Sequence, residues 1–394
     1  MEFPLSLVLA AAFLIITWLL GHSRYAKKLG GLKCSELLFA IAAVCLAVEG
    51  TWGIQIHRTW PFAMLMVGTM LSLGATVFQH GKSAAFTLSH AGIFVIIFGA
   101  FFGAPDHSEC QLMVTKDSGA HIGRGADGVP TPLPFEVRLD DFRIDYYDDA
   151  ASPKQFTSVM EIEGRKYTTS VNHPCRYKGY TIYQSGYDRA NGEYSILGIV
   201  RDPWIPLVAA GLVILLAGTA VELWRTWRSR AVLPLVLVIA VVFGAISVAR
   251  INFGTLMPAL RSFWFIPHIM VYMLAYSVLA VSLLSGIGSI FIPKIPAELS
   301  RKLLSTASCL LLIGMSFGAV WAKAAWGDYW TWDAKENWAA VTWLLTLAGT
   351  HIPSGKNNIK MLIAVGAAFL AMQMTWYGVN WLPAAQASLH TYNM

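Results

Sequence analysis

The sequence predicts a polytopic α-helical membrane protein of about ten transmembrane helices with one inserted exoplasmic β-rich domain. Composition is the first reason, because 56% of the 394 residues are hydrophobic and only 13% are charged. Such a composition is typical of proteins that cross a membrane several times. The second reason is length, because several apolar stretches reach the roughly 20 residues that cross a hydrocarbon core. A soluble enzyme is therefore excluded.

Ten apolar runs are predicted to be membrane helices from their length and pattern. They lie near residues 3 to 20, 36 to 52, 61 to 79, 86 to 104, 204 to 223, 231 to 249, 266 to 292, 303 to 322, 339 to 353 and 359 to 377. The first run follows no basic segment and precedes no small-residue cleavage site. We therefore expect a retained helix there and not a signal peptide.

The inserted domain is predicted for residues 105 to 202, where polar and apolar residues alternate as in strands. Turns are indicated at Glu163-Gly164 and Lys178-Gly179. Cys110 and Cys175 both lie in this domain. A disulfide between them, two unpaired thiols and a transient redox role all remain open.

Four regions follow from these patterns. Membrane helices occupy 1–104, the β-rich domain 105–202, a closing helix and loop 203–230, and a second membrane domain 231–394, with a tryptophan-rich loop at 323–343.

The basic residues predict the orientation, since Lys and Arg accumulate on the cytoplasmic side of membrane helices. If the ten helices alternate, one side receives all the main basic clusters: Arg24/Lys27/Lys28, Lys82, Arg225/Arg228/Arg230, Lys294/Arg301/Lys302 and Lys356/Lys360. The net charge of +6 is then explained by topology, and nucleic acid is not an expected partner. The N-terminus, the β-domain, the tryptophan-rich loop and the C-terminal tail are expected on the exoplasmic side.

The tryptophan-rich loop is the most unusual segment of the chain. Five tryptophans lie between positions 326 and 343, more than the usual anchoring of a helix at the membrane surface requires. Acidic side chains are costly near hydrocarbon unless they are paired. We therefore expect Asp333 and Glu336 to shape the loop through hydrogen bonds or to contact a ligand.

Four histidines form two pairs at two depths. His268 and His390 are expected at the exoplasmic side, near the tryptophan-rich loop, and His90 and His351 near the opposite side. One intramembrane histidine is usually a packing residue, but two facing imidazoles can hold a haem iron. The pairs predict two haem stations. The other histidines are expected to be solvated loop residues: His22, His57, His80, His107, His121 and His173.

The loop then shows a family resemblance. The pattern Trp326-Gly-x-x-Trp330-x-Trp332-Asp333-x-x-Glu336-x-Trp338, followed by Trp343 and His351, resembles the signature of the haem-handling cytochrome c biogenesis proteins of the CcsA/CcmC/CcmF group. Ser262-Phe-Trp-Phe-Ile-Pro-His268 and Ser388-Leu-His390-Thr-Tyr392 resemble the flanking histidine motifs of the CcsA branch. In the CcsA branch, a Ser and a Gly are expected around the His-x-Tyr core. The C-terminal tail of this chain departs from that pattern.

The N-terminal half is similar to ResB/CcsB proteins. The similarity lies in Leu88-Ser-His90-Ala-Gly92, in Pro134-Phe-Glu-Val-Arg138 and in Val171-Asn-His-Pro-Cys-Arg-Tyr-Lys-Gly179. The whole therefore resembles a fused CcsB–CcsA protein, the system II cytochrome c synthase.

The resemblance implies a function in cytochrome c maturation. Haem b, as substrate and bound ligand, would pass from His90 and His351 to His268 and His390. Its vinyl groups would then be joined to the two thiols of a Cys-x-x-Cys-His segment in apocytochrome c. The catalytic loop would comprise Trp326, Gly327, Trp330, Trp332, Asp333, Glu336 and Trp338, with Trp343 beside the haem.

Partners and alternatives complete the expectation. The resemblance implies apocytochrome c, haem, exoplasmic thiol-reducing proteins and the lipid bilayer of a bacterial-type inner membrane. Two other functions share the same histidines: a haem transporter without attachment activity, and a membrane electron-transfer subunit with two b haems.

Overall fold

The computed structural model describes residues 3–80, 83–149, 152–189, 192–228, 232–250, 256–292, 294–353 and 358–387. Before the sheet lie α1 Phe3–Gly21, α2 Ala26–Leu29, α3 Leu32–Trp52, α4 Trp60–His80 and α5 Ala84–Gly103. After it lie α6 Ile205–Trp227, α7 Val232–Arg250, α8 Phe265–Phe291, α9 Ala297–Trp326, α10 Ala334–His351 and α11 Asn358–Trp376. Each of the ten predicted helices has a counterpart, and the short α2 is additional.

The membrane character is carried by the helices that are both long and apolar. Within the described ranges, six helices are long and apolar enough to cross a membrane: α4, α5, α6, α8, α9 and α11. The chain is thus a membrane protein with an inserted sheet. The predicted ten crossings are supported only in part, since the apolar stretches of α1 and α7 are shorter and α3 and α10 carry charged side chains such as Glu49 and Glu336.

The inserted domain is one eight-stranded antiparallel sheet in the order β5-β4-β3-β2-β1-β8-β7-β6. Its strands are β1 Ser108–Thr115, β2 Ala120–Arg124, β3 Pro130–Tyr146, β4 Pro153–Ile162, β5 Arg165–Ser170, β6 Cys175–Tyr177, β7 Tyr180–Tyr187 and β8 Tyr194–Arg201. Both predicted turns are confirmed. Glu163-Gly164 and Lys178-Gly179 are two-residue hairpin loops with positive φ at both positions, as such tight turns require.

The two cysteines of this domain are free thiols. Cys110 pairs with Ile199, which pairs with Ile182, which pairs with Cys175, so three strand spacings separate the cysteines along the sheet. Burial raises the pKa of both thiols, which lowers the thiolate fraction that reacts. The structure therefore has no disulfide between Cys110 and Cys175.

The ends of the helices gather on two faces. On the face that carries the sheet, Asp106 accepts hydrogen bonds from Ser6 Oγ at 2.6 Å and from Trp204 Nε1 at 2.7 Å. These bonds join the start of α1, the end of α5 and the start of α6. On the other face, Ser72 Oγ in the second half of α4 donates to the carbonyl of Leu29 at 2.8 Å. This two-faced arrangement agrees with alternating helices.

Candidate functional site

The structure brings His90 and His351 together. His90 lies in α5 and His351 is the last residue of α10, and their ring centroids are 6.3 Å apart with the planes inclined at 72°. A metal held by two imidazoles lies about 2 Å from each ligating nitrogen, so the two ring centroids are then roughly 6 Å apart. Phe86 stacks on His90 at 4.0 Å, and Phe39 of α3 meets His351 edge-on at 5.5 Å.

Local hydrogen bonds determine which ring nitrogen of His90 and of His351 carries the proton. Nδ1 of His90 lies 2.8 Å from the carbonyl of Phe86, and Nδ1 of His351 lies 2.7 Å from the carbonyl of Leu347. A carbonyl oxygen can only accept, so Nδ1 carries the proton and Nε2 is the basic nitrogen. A histidine that donates its other ring N–H to a backbone carbonyl is the usual form of a metal ligand.

Both ends of the tryptophan-rich loop, predicted at 323–343, are helical, and residues 327–333 form its non-helical part between α9 and α10. Gly327 closes α9 with φ +103, a left-handed conformation that costs little only for glycine. A Cβ at this position would lie 3.1 Å from Val200 and 3.2 Å from Tyr183 of the sheet. Gly327 therefore ends the helix and also permits close contact with the β-domain.

The acidic residues of the loop shape the start of α10. The Asp333 carboxylate accepts from the Glu336 backbone N–H at 2.8 Å, and Glu336 accepts from the Thr331 backbone N–H at 2.6 Å. The first bond satisfies an N–H group that the start of a helix leaves without a partner, and the second ties the preceding residues of the loop to the first turn of α10. Together these bonds begin α10 at Ala334, five residues before the start at 339 predicted from apolar residues alone.

The five tryptophans of the loop region have different surroundings. Trp330 lines a cavity, and Trp326 packs against Trp321 with the centroids 4.9 Å apart. Trp332 and Trp338 belong to an apolar cluster with Leu46 of α3. Trp343 packs among α8, α9 and α11 in the largest buried cluster. Of the five, Trp330 is the one that lines this cavity.

His268 lies at the wall of that cavity. Its Nδ1 is 2.8 Å from the carbonyl of Gly314 in α9, which again makes Nε2 the basic nitrogen. Gly318, one turn further along α9, allows the ring to approach, since a Cβ there would lie 2.7 Å from the ring. The cavity has a volume of about 120 Å³. Its lining includes His268, Met273, Tyr276, Tyr329, Trp330 and Glu336.

The predicted partner of His268 lies outside the described residues, because His390 follows the last described position, 387. The preceding turn Pro383–Ala387 packs against α3. Ala384 is 3.7 Å from the position that a Cβ on Gly53 would take. Gly53 follows the end of α3, so the described tail lies on the same face as the loop.

The β-domain contacts the loop through charged side chains. His107, just before β1, lies 3.6 Å from Asp202 and 3.8 Å from Asp328 of the loop. The neighbouring Asp202 carboxylate, together with the charge of Asp328, raises the pKa of His107. Burial and the nearby Asp328 raise the pKa of Glu109. Within the described chain, His107, Glu109 and Asp328 have potential ligand atoms within 4.8 Å of one another.

Sequence reasoning missed two of these histidines. His57 was expected to be solvated, but its side chain is only 16% exposed and donates to the buried Glu49, so that prediction is wrong. His107 is 30% exposed and lies between two carboxylates. A glutamate at the end of an apolar helix, eight residues before a histidine, is the signal that could have indicated the first contact.

Two family models match this chain. Residues 82–196 match the ResB-like family, and residues 204–385 match the cytochrome c assembly protein family. His90 lies in the first match, and His268 and His351 lie in the second. The pair at 6.3 Å thus joins the two matched segments.

Relatives named cytochrome c biogenesis protein CcsA resemble part of the chain. The protein of Prochlorococcus marinus strain AS9601 is 31% identical over 178 residues, which cover 35% of this chain and 57% of the relative. That of Chlamydomonas reinhardtii is 35% identical over 154 residues, covering 35% and 42%. That of Pelargonium hortorum is 39% identical over 95 residues, covering 24% and 29%. The chain spans about half the length of the first relatives. The chain thus matches a ResB-like model and a cytochrome c assembly model in one polypeptide, and this order of matches fits the architecture of a fused CcsB–CcsA protein.

Proposed function

We propose that the chain is a cytochrome c synthase of the thioether-forming, haem lyase type. It receives haem b between His90 and His351, moves it to a site at His268 and His390, and attaches it there to apocytochrome c. The observation that best supports this proposal is the 6.3 Å approach of two imidazoles from the two family-matched segments. A shared ligand pair gives a physical reason for joining the two domains.

The inner station is supported by the hydrogen bonds of its rings. With Nδ1 held by a carbonyl of its own helix, each imidazole would bind iron through Nε2. Phe86 and Phe39 surround the pair with apolar surface. Such surroundings suit a haem passing through the membrane part of the protein.

The outer station is supported by the cavity beside the loop. His268 would bind iron through Nε2, Trp330 and Tyr329 would contact the porphyrin, and His390 would be the second axial ligand. The histidine of the apocytochrome segment then displaces one of the two ligands. Haem itself is the substrate here, so its stay at this site is temporary.

The attachment needs little covalent chemistry from the protein. Each substrate thiol adds across one vinyl C=C bond: a C–S and a C–H bond form, and the S–H bond and the π bond break. The addition involves no net oxidation or reduction. Holding the thiols and the vinyl groups side by side is then the main contribution to rate. Reduced thiols would be supplied by exoplasmic thiol-reducing proteins.

The membrane arrangement belongs to the same proposal. All ten long helices would cross a bacterial-type inner membrane, with the N-terminus, the sheet, the tryptophan-rich loop and the tail on the exoplasmic side. The supporting observation is that the sheet, the start of α1 and the loop lie on one face of the helices. A protease added to sealed right-side-out vesicles should then cut the β-domain.

A reconstitution tests the function. The full chain in detergent, loaded with haem b and reduced with dithionite, is mixed with an apocytochrome peptide containing Cys-x-x-Cys-His, and the pyridine haemochrome spectrum is measured. We expect a c-type spectrum, and no such spectrum with a Ser-x-x-Ser-His peptide. Release of unattached haem b would instead indicate a transporter. Haem that neither leaves nor reacts would indicate an electron-transfer subunit.

A further inference from the structure

A histidine outside both family matches lies flat against the tryptophan-rich loop. The ring of His57, in the short turn between α3 and α4, stacks on Trp332 with centroids 4.6 Å apart and planes inclined by only 2°. Phe62 meets the same tryptophan edge-on at 5.5 Å. The matched segments begin at residue 82. This contact therefore joins the unmatched N-terminal helices to the loop.

Glu49 holds the histidine in place. Its side chain, near the end of α3, is only 5% exposed and accepts two hydrogen bonds from His57: one from the backbone N–H at 3.0 Å and one from Nδ1. Burying a carboxylate is costly unless such bonds compensate. Two bonds from one residue fix both the turn and the plane of the imidazole.

Trp332 needs support of this kind. Its φ is +61, a left-handed conformation that a bulky residue adopts only when its surroundings impose it. Asn337 Nδ2 donates to the Trp332 carbonyl at 2.8 Å and holds the backbone. The imidazole and Phe62 hold the side chain. Trp330, which lines the cavity of His268, meets Trp332 edge-on at 6.3 Å.

These contacts form a continuous path from α3 to the cavity. We propose that Glu49 and His57 are positioning residues that set the orientation of Trp332, and through it Trp330, at the outer haem site. The inference rests on the proposed function, because it assigns these residues to haem binding at that site. It gives the N-terminal helices a direct part in shaping a site that belongs to the assembly domain.

A double-mutant cycle separates positioning from general stability. H57A, W332A and the combined variant of the full chain are loaded with haem b and mixed with the Cys-x-x-Cys-His peptide, and the thioether product is measured. We expect H57A to lower the product about fivefold in the natural background and less than about twofold in the W332A background, since coupled residues are not additive. Equal losses in both backgrounds would overturn the proposal.

Conservative variants distinguish the two parts of the contact. H57F keeps a flat ring and the backbone bond but loses the bond from Nδ1 to the Glu49 carboxylate, and E49Q keeps an acceptor without the charge. Both should form more thioether product than H57A. H22F and E36Q are matched controls: His22 also contacts a tryptophan, Trp18, at 4.9 Å, and Glu36 is an exposed residue of α3. Losses in the controls as large as in H57A would contradict a specific role.

A second readout works without haem, so it does not depend on the proposed function. Chymotrypsin cuts after aromatic residues, and the rate of cutting after Trp330 and Trp332 reports how firmly the haem-free loop is held. We expect H57A to speed this cleavage about fivefold and H22A to leave it unchanged. Unchanged cleavage in H57A would overturn the positioning role. Faster cleavage in a chain that makes no thioether would refute the synthase proposal alone.

Discussion

The two histidine sites differ in how their rings are held. Each ring of the inner pair bonds to a carbonyl four residues earlier in its own helix. His268, by contrast, bonds to the carbonyl of Gly314, 46 residues away in another helix. An inner ring therefore keeps its orientation as long as its helix is intact, whereas the outer ring depends on how α8 and α9 pack together.

This difference suits a loading site and an attachment site. A site that only receives haem can be formed by a few rigid residues. A site that must also admit a peptide and exchange one axial ligand benefits from parts that move relative to one another. The outer site draws on α8, α9, the loop and the β-domain, and each contact between them is a place where the comparison can be tested.

The largest effect is expected at the inner pair. H90A or H351A removes one axial ligand, and haem per protein should fall at least about tenfold. The double variant should lose little more than either single one, because both rings bind the same iron. Pyridine haemochrome measurements check this. H22A is the matched control, since Nδ1 of His22 also lies 2.8 Å from a carbonyl four residues earlier. If the haem losses of H90A and H351A were additive in the double variant, the two rings would not bind the same iron.

The next effect separates loading from attachment. H268A should lower thioether product about tenfold while most haem b stays bound at the inner pair. Added imidazole should restore part of the product by replacing the missing ligand. Product is measured by haem staining of denatured apocytochrome after reconstitution. Loss of bound haem equal to that in H90A would mean that the two sites are not distinct.

A smaller effect is expected from the spacing between α8 and α9. G318A places a Cβ about where the His268 ring now lies, 2.7 Å from its Cε1, so the ring must turn. Product should fall about threefold, with the inner haem spectrum unchanged, because a shifted ligand costs less than a missing one. G366A serves as control, since Gly366 has open space around it. Equal activity of G318A and G366A would contradict the account.

The contact between loop and β-domain should give a still smaller effect. G327A forces a left-handed backbone on alanine and pushes against Val200 and Tyr183, which should cost about 1–3 kcal/mol in the free energy of unfolding. G128A, with φ +78 and nothing within 4 Å, carries only the backbone part. Thermal unfolding in detergent should show the larger loss for G327A. Equal losses of stability in G327A and G128A would mean that the contact of Gly327 with the β-domain does not contribute to the free energy of unfolding.

The smallest effect is a pH dependence of the same contact. The pKa of His107 is raised by Asp202 and Asp328, so its charge stabilises the folded contact. That stabilisation is complete below the unfolded pKa of about 6.5 and is lost as pH rises through the higher folded pKa. Relative to an unstructured peptide cut at the same pH, the loop should be cleaved faster by chymotrypsin as the pH rises. The same ratio should be independent of pH for H107Q, and a pH-dependent ratio for H107Q would assign the effect to another group.

Apolar length and turn residues predicted most of the fold. The ten helices and the Glu163-Gly164 and Lys178-Gly179 turns are local features, and local sequence determines them. The start of α10 was misplaced because its N-cap, Asp333, is polar and an apolar pattern does not detect it. The predicted ten crossings are supported only in part, because the apolar stretches of α1 and α7 are short and α3 and α10 combine apolar with charged residues.

The candidate site was predicted less completely. His90 and His351 were paired by their depth alone, and the structure brings them together. The stacking of His57 on Trp332 was missed because the two residues lie 275 positions apart, where no periodic pattern extends. The same holds for His107 and Asp328, which meet only when the sheet packs against the loop.

The central claim is that haem loads at the inner pair before it reaches the outer site. It is tested most directly by haem per protein in four preparations of the full chain: natural, H90A, H268A and H90A/H268A, each read as a pyridine haemochrome. The account predicts that H268A keeps at least about half of the natural haem, and that H90A and the double variant are equally depleted. A depleted H268A beside a haem-filled H90A would contradict it, because haem would then enter at the outer site.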